Sequence, residues 1–183
     1  GITLAFLGAV GFSISLFRPG VSRHLIAILL AGGLGFLLGL WDDIRPIRAS
    51  RKLIGQALMA TILILGGLRL ESLSLPFWYH IPLPAWLGSV LTLRWVLAVT
   101  NAVNLIDGMD GSAGGVVLIA SVAFFTMGAI QDEPTTMLVA VTLAGSIGGF
   151  LRYNFHPASV FMGDCGSMFL GSILAGLSLA ITH

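Results

Sequence analysis

Charged residues are scarce in this chain: they make up 9% of its 183 residues, whereas 56% are hydrophobic. The mean hydropathy is +0.98. A soluble domain carries about 25% charged residues, which it needs to solvate its surface. The net charge of +1 leaves no extended basic surface to attract nucleic acid. The composition therefore excludes a water-soluble globule, a disordered tail and a basic nucleic-acid-binding protein, and it places the chain in lipid.

Cysteine is also nearly absent. With Cys165 as the single cysteine, no disulfide can form within the chain, and the redox compartment cannot be read from cysteine usage. The chain begins at Gly1 inside an apolar stretch, without the charged leading segment of a signal peptide. We therefore expect a piece of a longer membrane protein.

Apolar runs dominate the rest of the chain, and each is near the roughly 17 to 25 residues that a membrane-spanning helix requires. They predict an all-α polytopic membrane protein with about seven transmembrane helices. The runs cover residues 1–17, 25–41, 53–68, 90–106, 113–130, 137–151 and 169–182. Near residues 70–85, short alternation with two prolines predicts an outer extended or hairpin segment. Closely spaced small residues predict helix packing in two of the runs, at Gly32, Gly33, Gly35 and Gly39 and at Gly145, Ser146, Gly148 and Gly149.

Alternating spans bring alternate loops to the same side of the membrane. Loops 42–52, 107–112 and 152–168 then share one side, and they hold five of the eight acidic residues. A carboxylate at a membrane edge is costly to desolvate and is rarely placed without a partner. The basic residues in 45–52 favour the cytoplasm for this side, in a multi-pass protein of the cell inner (cytoplasmic) membrane.

The first acidic motif is the adjacent pair Asp42 and Asp43, followed by Arg48, Arg51 and Lys52. Adjacent carboxylates repel, so a cation, a bound metal or a basic cluster must sustain them. A helix end whose acids pair with Arg45 and Arg48 is an equally good interpretation of this motif taken alone.

The second motif spaces Asn101, Asn104, Asp107 and Asp110 three residues apart, which makes a polar stripe on one helix face. The stripe suits a hydrated cation, a sugar or a nucleotide, although a helix cap at Gly108 is an alternative. The third motif places Asp164 beside glycine, where carboxylate oxygens and backbone N–H groups can approach a metal-bound phosphate. A plain turn is the alternative there.

Together the three motifs predict a magnesium site, because Mg²⁺ prefers one or two carboxylates, waters and phosphate oxygens. The residues by themselves indicate either metal-assisted phosphate chemistry or an ion pathway at the membrane edge. No Cys/His spacing indicates zinc, and no Walker or dinucleotide-binding motif is found.

In order and spacing, the three motifs resemble the polyprenyl-phosphate N-acetylhexosamine-1-phosphate transferase family, glycosyltransferase family 4. They read Leu-Trp-Asp-Asp to Asp43, Asn-Ala-Val-Asn-Leu-Ile-Asp-Gly-Met-Asp-Gly from Asn101, and Val-Phe-Met-Gly-Asp-Cys-Gly-Ser to Ser167. The resemblance covers nearly the whole chain. Segments 66–72 and 153–157 look most like the bacterial undecaprenyl-phosphate GlcNAc-1-phosphate transferases.

The resemblance implies transfer of GlcNAc-1-phosphate from UDP-GlcNAc to undecaprenyl phosphate, with release of UMP, at the cytoplasmic membrane face. This would be the first membrane step of a cell-envelope glycan. It implies Mg²⁺ as the cofactor, with Mn²⁺ as an alternative. It also implies a single transmembrane catalytic domain over residues 1–183, truncated at both ends. The expected partners are the UDP-sugar, undecaprenyl phosphate and membrane lipid, with a homodimer left open and no nucleic acid.

The resemblance also assigns roles to individual residues. The catalytic set is Asp42, Asp43, Asp107, Asp110 and Asp164, of which Asp107 and Asp164 are also metal ligands. The substrate-binding set is Asn101, Asn104, Arg48, Arg51, Lys52 and His156. Two further family motifs are missing from the 183 residues, which leaves the activity of this segment alone open.

Three other interpretations remain. One is the phospho-N-acetylmuramoyl-pentapeptide transferase branch of the same family. Another is an ion-coupled membrane transporter, which predicts acids at mid-span and internal repeats. The third is a catalytically inactive scaffold. The sequence places its acids at span ends and shows no repeat.

Overall fold

The computed structural model describes residues 22–75 and 78–182. Six α-helices and one β-hairpin make up this part of the chain. Their bounds are α1 Arg23–Ile44, α2 Ala49–Leu65, β1 Ser72–Leu75, β2 Trp78–Pro82, α3 Ala85–Ile106, α4 Ser112–Ile130, α5 Pro134–Asn154 and α6 Gly163–Ile181. The prediction of an all-α polytopic membrane protein is confirmed.

Five of these helices, α1, α3, α4, α5 and α6, are long and apolar enough to span a membrane. The helix α2 coincides with a predicted span but has 17 residues. The first predicted span, residues 1–17, lies outside the described residues. The predicted count of seven is therefore not confirmed.

Prolines and a serine cap mark several of the positions where the helices begin and end. Arg45, which precedes Pro46, is extended and ends α1, because proline disfavours helical geometry in the residue before it. Pro84 precedes α3 and Pro134 occupies the first turn of α5, where its missing N–H costs nothing. At the start of α1, the Ser22 hydroxyl accepts a hydrogen bond from the Leu25 amide at 3.1 Å.

The helix α6 is the centre of the bundle, and nearly all of its residues are buried. The helices α1, α3 and α4 pack against it, while α2 packs against α1 and α3, and α5 packs mainly against α4. Small residues make the α1–α6 contact close. A Cβ atom at Gly39 would collide with the backbone carbonyl of Asp164. Glycine is therefore required at this crossing.

The prediction of close packing through small residues is not confirmed in α5. A Cβ atom added at Gly145, Gly148 or Gly149 meets no described atom within 4 Å. The buried face of this helix is formed instead by larger side chains, among them Val139, Leu143 and Ile147. Glycine spacing alone does not say which face of a helix is packed.

The predicted hairpin is confirmed: β1 and β2 are antiparallel, with Ser72 opposite Pro82 and Leu73 opposite Ile81. The chain beside the hairpin is tied to α3 by a hydrogen bond of 2.9 Å from the Leu70 amide to the Thr92 hydroxyl. A second link joins the same end of the bundle, where the Ser22 and Thr135 hydroxyls lie 3.2 Å apart. The opposite end carries the three acidic loops.

Candidate active site at the acidic end of the bundle

Asp42 and Asp43 occupy the last turn of α1. The Asp42 carboxylate accepts a hydrogen bond of 2.8 Å from the Ile47 amide, which folds the chain back toward α2. The Asp43 carboxylate points to a different helix and accepts hydrogen bonds from the amides of Asp164 and Cys165, at 2.9 and 3.0 Å. The first residues of α6 have no cap from the residue that precedes the helix. Asp43 therefore caps α6 from α1.

Lys52 supplies a positive charge to Asp42 and to Asp164. Its Nζ lies 2.6 Å from Asp164 Oδ2 and also forms an ion pair with Asp42. A lysine in the first turn of a helix opposes the helix dipole, so helix propensity does not account for its place in α2. Its position is explained instead by the two carboxylates that it contacts, Asp42 in α1 and Asp164 in α6. We call Asp42, Asp43, Lys52 and Asp164 the carboxylate cluster.

Asp164 is the residue on which the cluster converges. It stands in the first turn of α6, where the helix dipole favours an acid. Its second oxygen, Oδ1, accepts a hydrogen bond of 2.9 Å from Asn104 Nδ2, and the same amide group donates to Ser167 Oγ at 2.8 Å. Gly163, with φ +70°, makes the left-handed turn that brings Asp164 to this position, and a side chain there would crowd Asp43.

Asn101 lies one helical turn before Asn104 and has a different partner. Its amide is paired with the amide of Gln56 in α2, through hydrogen bonds of 2.8 and 3.1 Å. Gln56 is fully buried. The sequence analysis missed Gln56, although a lone amide four residues after Lys52 in an apolar run was a usable signal.

Asp107 follows α3 and is partly buried beside the carboxylate cluster. Burial raises the pKa of Asp107 to about 6, and the negative charges of Asp164 and Asp43 act in the same direction. Within residues 22–75 and 78–182, its side chain forms no hydrogen bond or ion pair. We call residues 107–111, which lead into α4, the Asp107 turn.

Asp110, in the same turn, faces away from the cluster toward residues 155–162, which we call the connecting segment. Its carboxylate accepts a hydrogen bond of 3.1 Å from the Ala158 amide and lies 3.1 Å from His156 Nδ1. These two contacts, the amide first, lower the pKa of Asp110. His156 itself is 86% exposed. Asp110 and His156, which were predicted as a catalytic and a substrate-binding residue, therefore contact each other and not Asp164.

The structure does not bring Arg48 or Arg51 to the carboxylates. Both are exposed, and neither side chain forms an ion pair in the described part of the chain. The interpretation in which Asp42 and Asp43 pair with Arg45 and Arg48 is therefore wrong. In the described residues neither arginine forms an ion pair, whereas Lys52 pairs with Asp42 and backbone amides bond Asp43. A lysine one turn into α2 reaches back over the chain reversal, while the arginines beside it point outward.

The donor set suits a hard divalent cation. Four carboxylates, from Asp42, Asp43, Asp107 and Asp164, gather at this end of the bundle, and the Lys52 ammonium pairs with Asp42 and Asp164. In the described residues, no three side chains of the His, Cys, Asp and Glu types form a ready-made metal cage. Mg²⁺ does not need one, since it takes one or two carboxylates and completes its shell with water and phosphate.

A small cavity opens between the Asp107 turn and the connecting segment. Its volume is about 60 Å³, and its lining includes Asp107, Asn154 and Phe161. The cavity connects the polar end of α3 to the residues that precede Asp164. The site as a whole can therefore hold a cation beside a phosphate at the end of a membrane-spanning bundle.

Comparison with known proteins places this site in a family. The model for "Glycosyl transferase family 4" matches residues 25–182, which include all three acidic motifs.

Three relatives illustrate the range of the family. A Bacillus subtilis (strain 168) protein named "Probable undecaprenyl-phosphate N-acetylglucosaminyl 1-phosphate transferase" is 36% identical over 85% of this chain and 44% of its own length. A decaprenyl-phosphate N-acetylglucosaminephosphotransferase of Mycobacterium leprae (strain TN) is 38% identical over 86% of this chain and 42% of its own. A phospho-N-acetylmuramoyl-pentapeptide-transferase of Desulforudis audaxviator (strain MP104C) is 35% identical over 98% of this chain and 60% of its own.

The chain thus spans about half the length of the curated relatives that it matches. Over that half, the family match runs from the start of α1 to the end of α6 and takes in every residue of the site described above. On this evidence the chain belongs to glycosyl transferase family 4.

Proposed function

We propose that the full-length protein transfers GlcNAc-1-phosphate from UDP-GlcNAc to undecaprenyl phosphate at the cytoplasmic face of the membrane. The observation that carries the proposal is the convergence of Asp42, Asp43, Asp107 and Asp164 from three helix ends at one end of an apolar bundle. A lipid phosphate and a water-soluble nucleotide can meet only at such an edge.

In this reaction an oxygen of the lipid phosphate attacks the phosphorus that carries the sugar. The bond from that phosphorus to the UMP oxygen breaks, and UMP leaves with the bonding electrons. Such a displacement depends on positioning and on neutralising phosphate charge. Asp107 and Asp164 would hold Mg²⁺, which when bound neutralises charge on the diphosphate. Lys52 bridges the Asp42 and Asp164 carboxylates and holds them together against their mutual repulsion, and Asp43 fixes the backbone that presents Asp164.

The placement of the acids favours an enzyme over an ion-coupled transporter. The acids of the site stand at helix ends, in the last turn of α1, just after α3 and in the first turn of α6. A transporter of the kind considered above binds its cation near the middle of broken spans.

The donor sugar is the less constrained part of the proposal. The names of the Bacillus subtilis and Mycobacterium leprae relatives favour GlcNAc. The relative from Desulforudis audaxviator, which aligns with 98% of this chain, makes the muramoyl-pentapeptide donor the second candidate.

The test is UMP release by the full-length protein in detergent, with UDP-GlcNAc or the muramoyl-pentapeptide donor, and with or without undecaprenyl phosphate and Mg²⁺. Asp164→Asn should lower the rate by at least about 100-fold, because it removes a charge that faces the phosphates. Asp132→Asn, an acid-to-amide change in the exposed loop between α4 and α5, is the matched control and should leave the rate unchanged. Release that needs neither lipid nor Asp164 would refute the proposal.

A further inference from the structure

Asn154, the last residue of α5, is 5% exposed and uses both ends of its amide group. Its Oδ1 accepts a hydrogen bond of 3.1 Å from the Gly111 amide, and its Nδ2 donates one of 2.9 Å to the Val160 carbonyl. None of the roles assigned above includes this residue.

The two partners of Asn154 lie in the two loops that flank the cavity. Gly111 is the last residue of the Asp107 turn, with φ +71°, and precedes α4. Val160 lies in the connecting segment, four residues before Asp164. One buried side chain therefore bonds the loop that carries Asp107 to the segment that delivers Asp164.

This bridge matters because Asp107 has little else to hold it. Its side chain forms no hydrogen bond or ion pair with the described residues, so its place depends on the backbone of the turn. A buried amide that lost either partner would be left unsatisfied, which keeps both loops attached to Asn154. Asp110 adds a second, exposed link to the connecting segment through Ala158.

We propose that Asn154 is a positioning residue for the transfer reaction, which sets the separation of Asp107 and Asp164 by bonding the Asp107 turn to the connecting segment. The inference rests on the proposed function of that site. It concerns how the carboxylates are placed, and Asn154 itself acts through the two loops and not on the reacting atoms.

Two variants separate the two bonds. Asn154→Leu removes both, whereas Asn154→Asp keeps the size and the acceptor for the Gly111 amide and loses the donor to Val160. Ser121→Ala is the matched control, since it removes a buried hydroxyl from α4, the helix that follows Gly111. Among the described residues, this hydroxyl donates at 2.7 Å to the Val117 carbonyl of its own helix.

In the full-length protein we expect Asn154→Leu to lower kcat by about 100-fold and Asn154→Asp by about tenfold, while KM for the UDP-sugar changes by less than about threefold. Hydrogen–deuterium exchange should rise in residues 107–112 and 155–164 of both Asn154 variants and stay unchanged in α1 and α2. Ser121→Ala should retain its kcat and show no local rise in those two segments.

A normal kcat in Asn154→Leu, or exchange that rises evenly along the whole chain, would overturn the positioning role. The exchange measurement does not depend on turnover. Absence of transfer by the wild-type protein would refute the proposed function, whereas an active wild-type protein with an equally active Asn154→Leu variant would refute only this inference.

Discussion

The carboxylate cluster and the Asp107 turn lie side by side, yet the chain holds them in different ways. Side chains from three helices bond Asp164. Lys52 and Asn104 contact its carboxylate, and Asp43 accepts a hydrogen bond from its backbone amide. Asp107 has no such partner among residues 22–75 and 78–182 and is placed by the loop around it. One half of the site is therefore preorganised by side-chain bonds, and the other half by two residues that anchor its loop, Asn154 and Asp110.

Among changes to the two halves of the site, Lys52→Met in the carboxylate cluster is expected to lower UMP release the most. The change keeps the length of the side chain and removes the charge that Asp42 and Asp164 share. The two carboxylates would then repel, so we expect UMP release to fall by about 100-fold. Arg152→Met, at the same end of the bundle but exposed, is the control and should stay close to wild type. Wild-type turnover in Lys52→Met would show that the cluster does not need its lysine.

Gly39→Ala should have the next largest effect. Its Cβ atom would strike the Asp164 carbonyl, so either α1 or the start of α6 must shift. We expect a loss of about 1–3 kcal/mol of stability, measured as a lower Tm in detergent, together with a lower rate of UMP release. Gly33→Ala lies in the same helix, and its Cβ atom meets no atom of the described residues within 4 Å, so it should leave Tm unchanged or raise it. Equal Tm values for the two variants would contradict the close α1–α6 crossing.

A smaller effect is expected for the pH dependence of stability that Asp107 contributes. The pKa of Asp107 is raised to about 6 in the folded protein from 3.8, so the folded state binds a proton between these values that the unfolded state releases. This contribution to stability is complete below pH 3.8 and is lost as pH rises through 6.

Without divalent cations, raising the pH from 4 to 7 should therefore lower the Tm of the wild-type protein relative to that of Asp107→Asn. A cation bound at Asp107 competes with the same proton, so Mg²⁺ should bind less tightly below pH 6, by up to about tenfold per pH unit. A Tm difference that is flat across this range would show that Asp107 does not titrate there.

Asp110→Asn should have the smallest effect. An asparagine oxygen can still accept the hydrogen bond from the Ala158 amide, and only the charge facing the exposed His156 is lost. We expect the rate of UMP release to change by no more than about threefold. A loss as large as that expected for Asn154→Leu would instead give Asp110 a direct role in the reaction.

The sequence determined the helices and the end of the bundle at which the acids gather. Apolar runs and proline or glycine breaks are local signals, and counting spans is enough to put alternate loops on the same side. The resemblance to family motifs located Asp42, Asp43, Asp107 and Asp164 by the same kind of one-dimensional reasoning.

Only the tertiary structure decided which side chain meets which. Lys52 lies between two carboxylates while Arg48 and Arg51 point outward, and Asn101 pairs with Gln56. Asn154 bonds Gly111, which lies 43 residues earlier in the chain, and Val160 in the connecting segment. Such partners depend on how each helix is rotated and how closely it crosses its neighbours, and no pattern of spacing within a single helix fixes those two quantities.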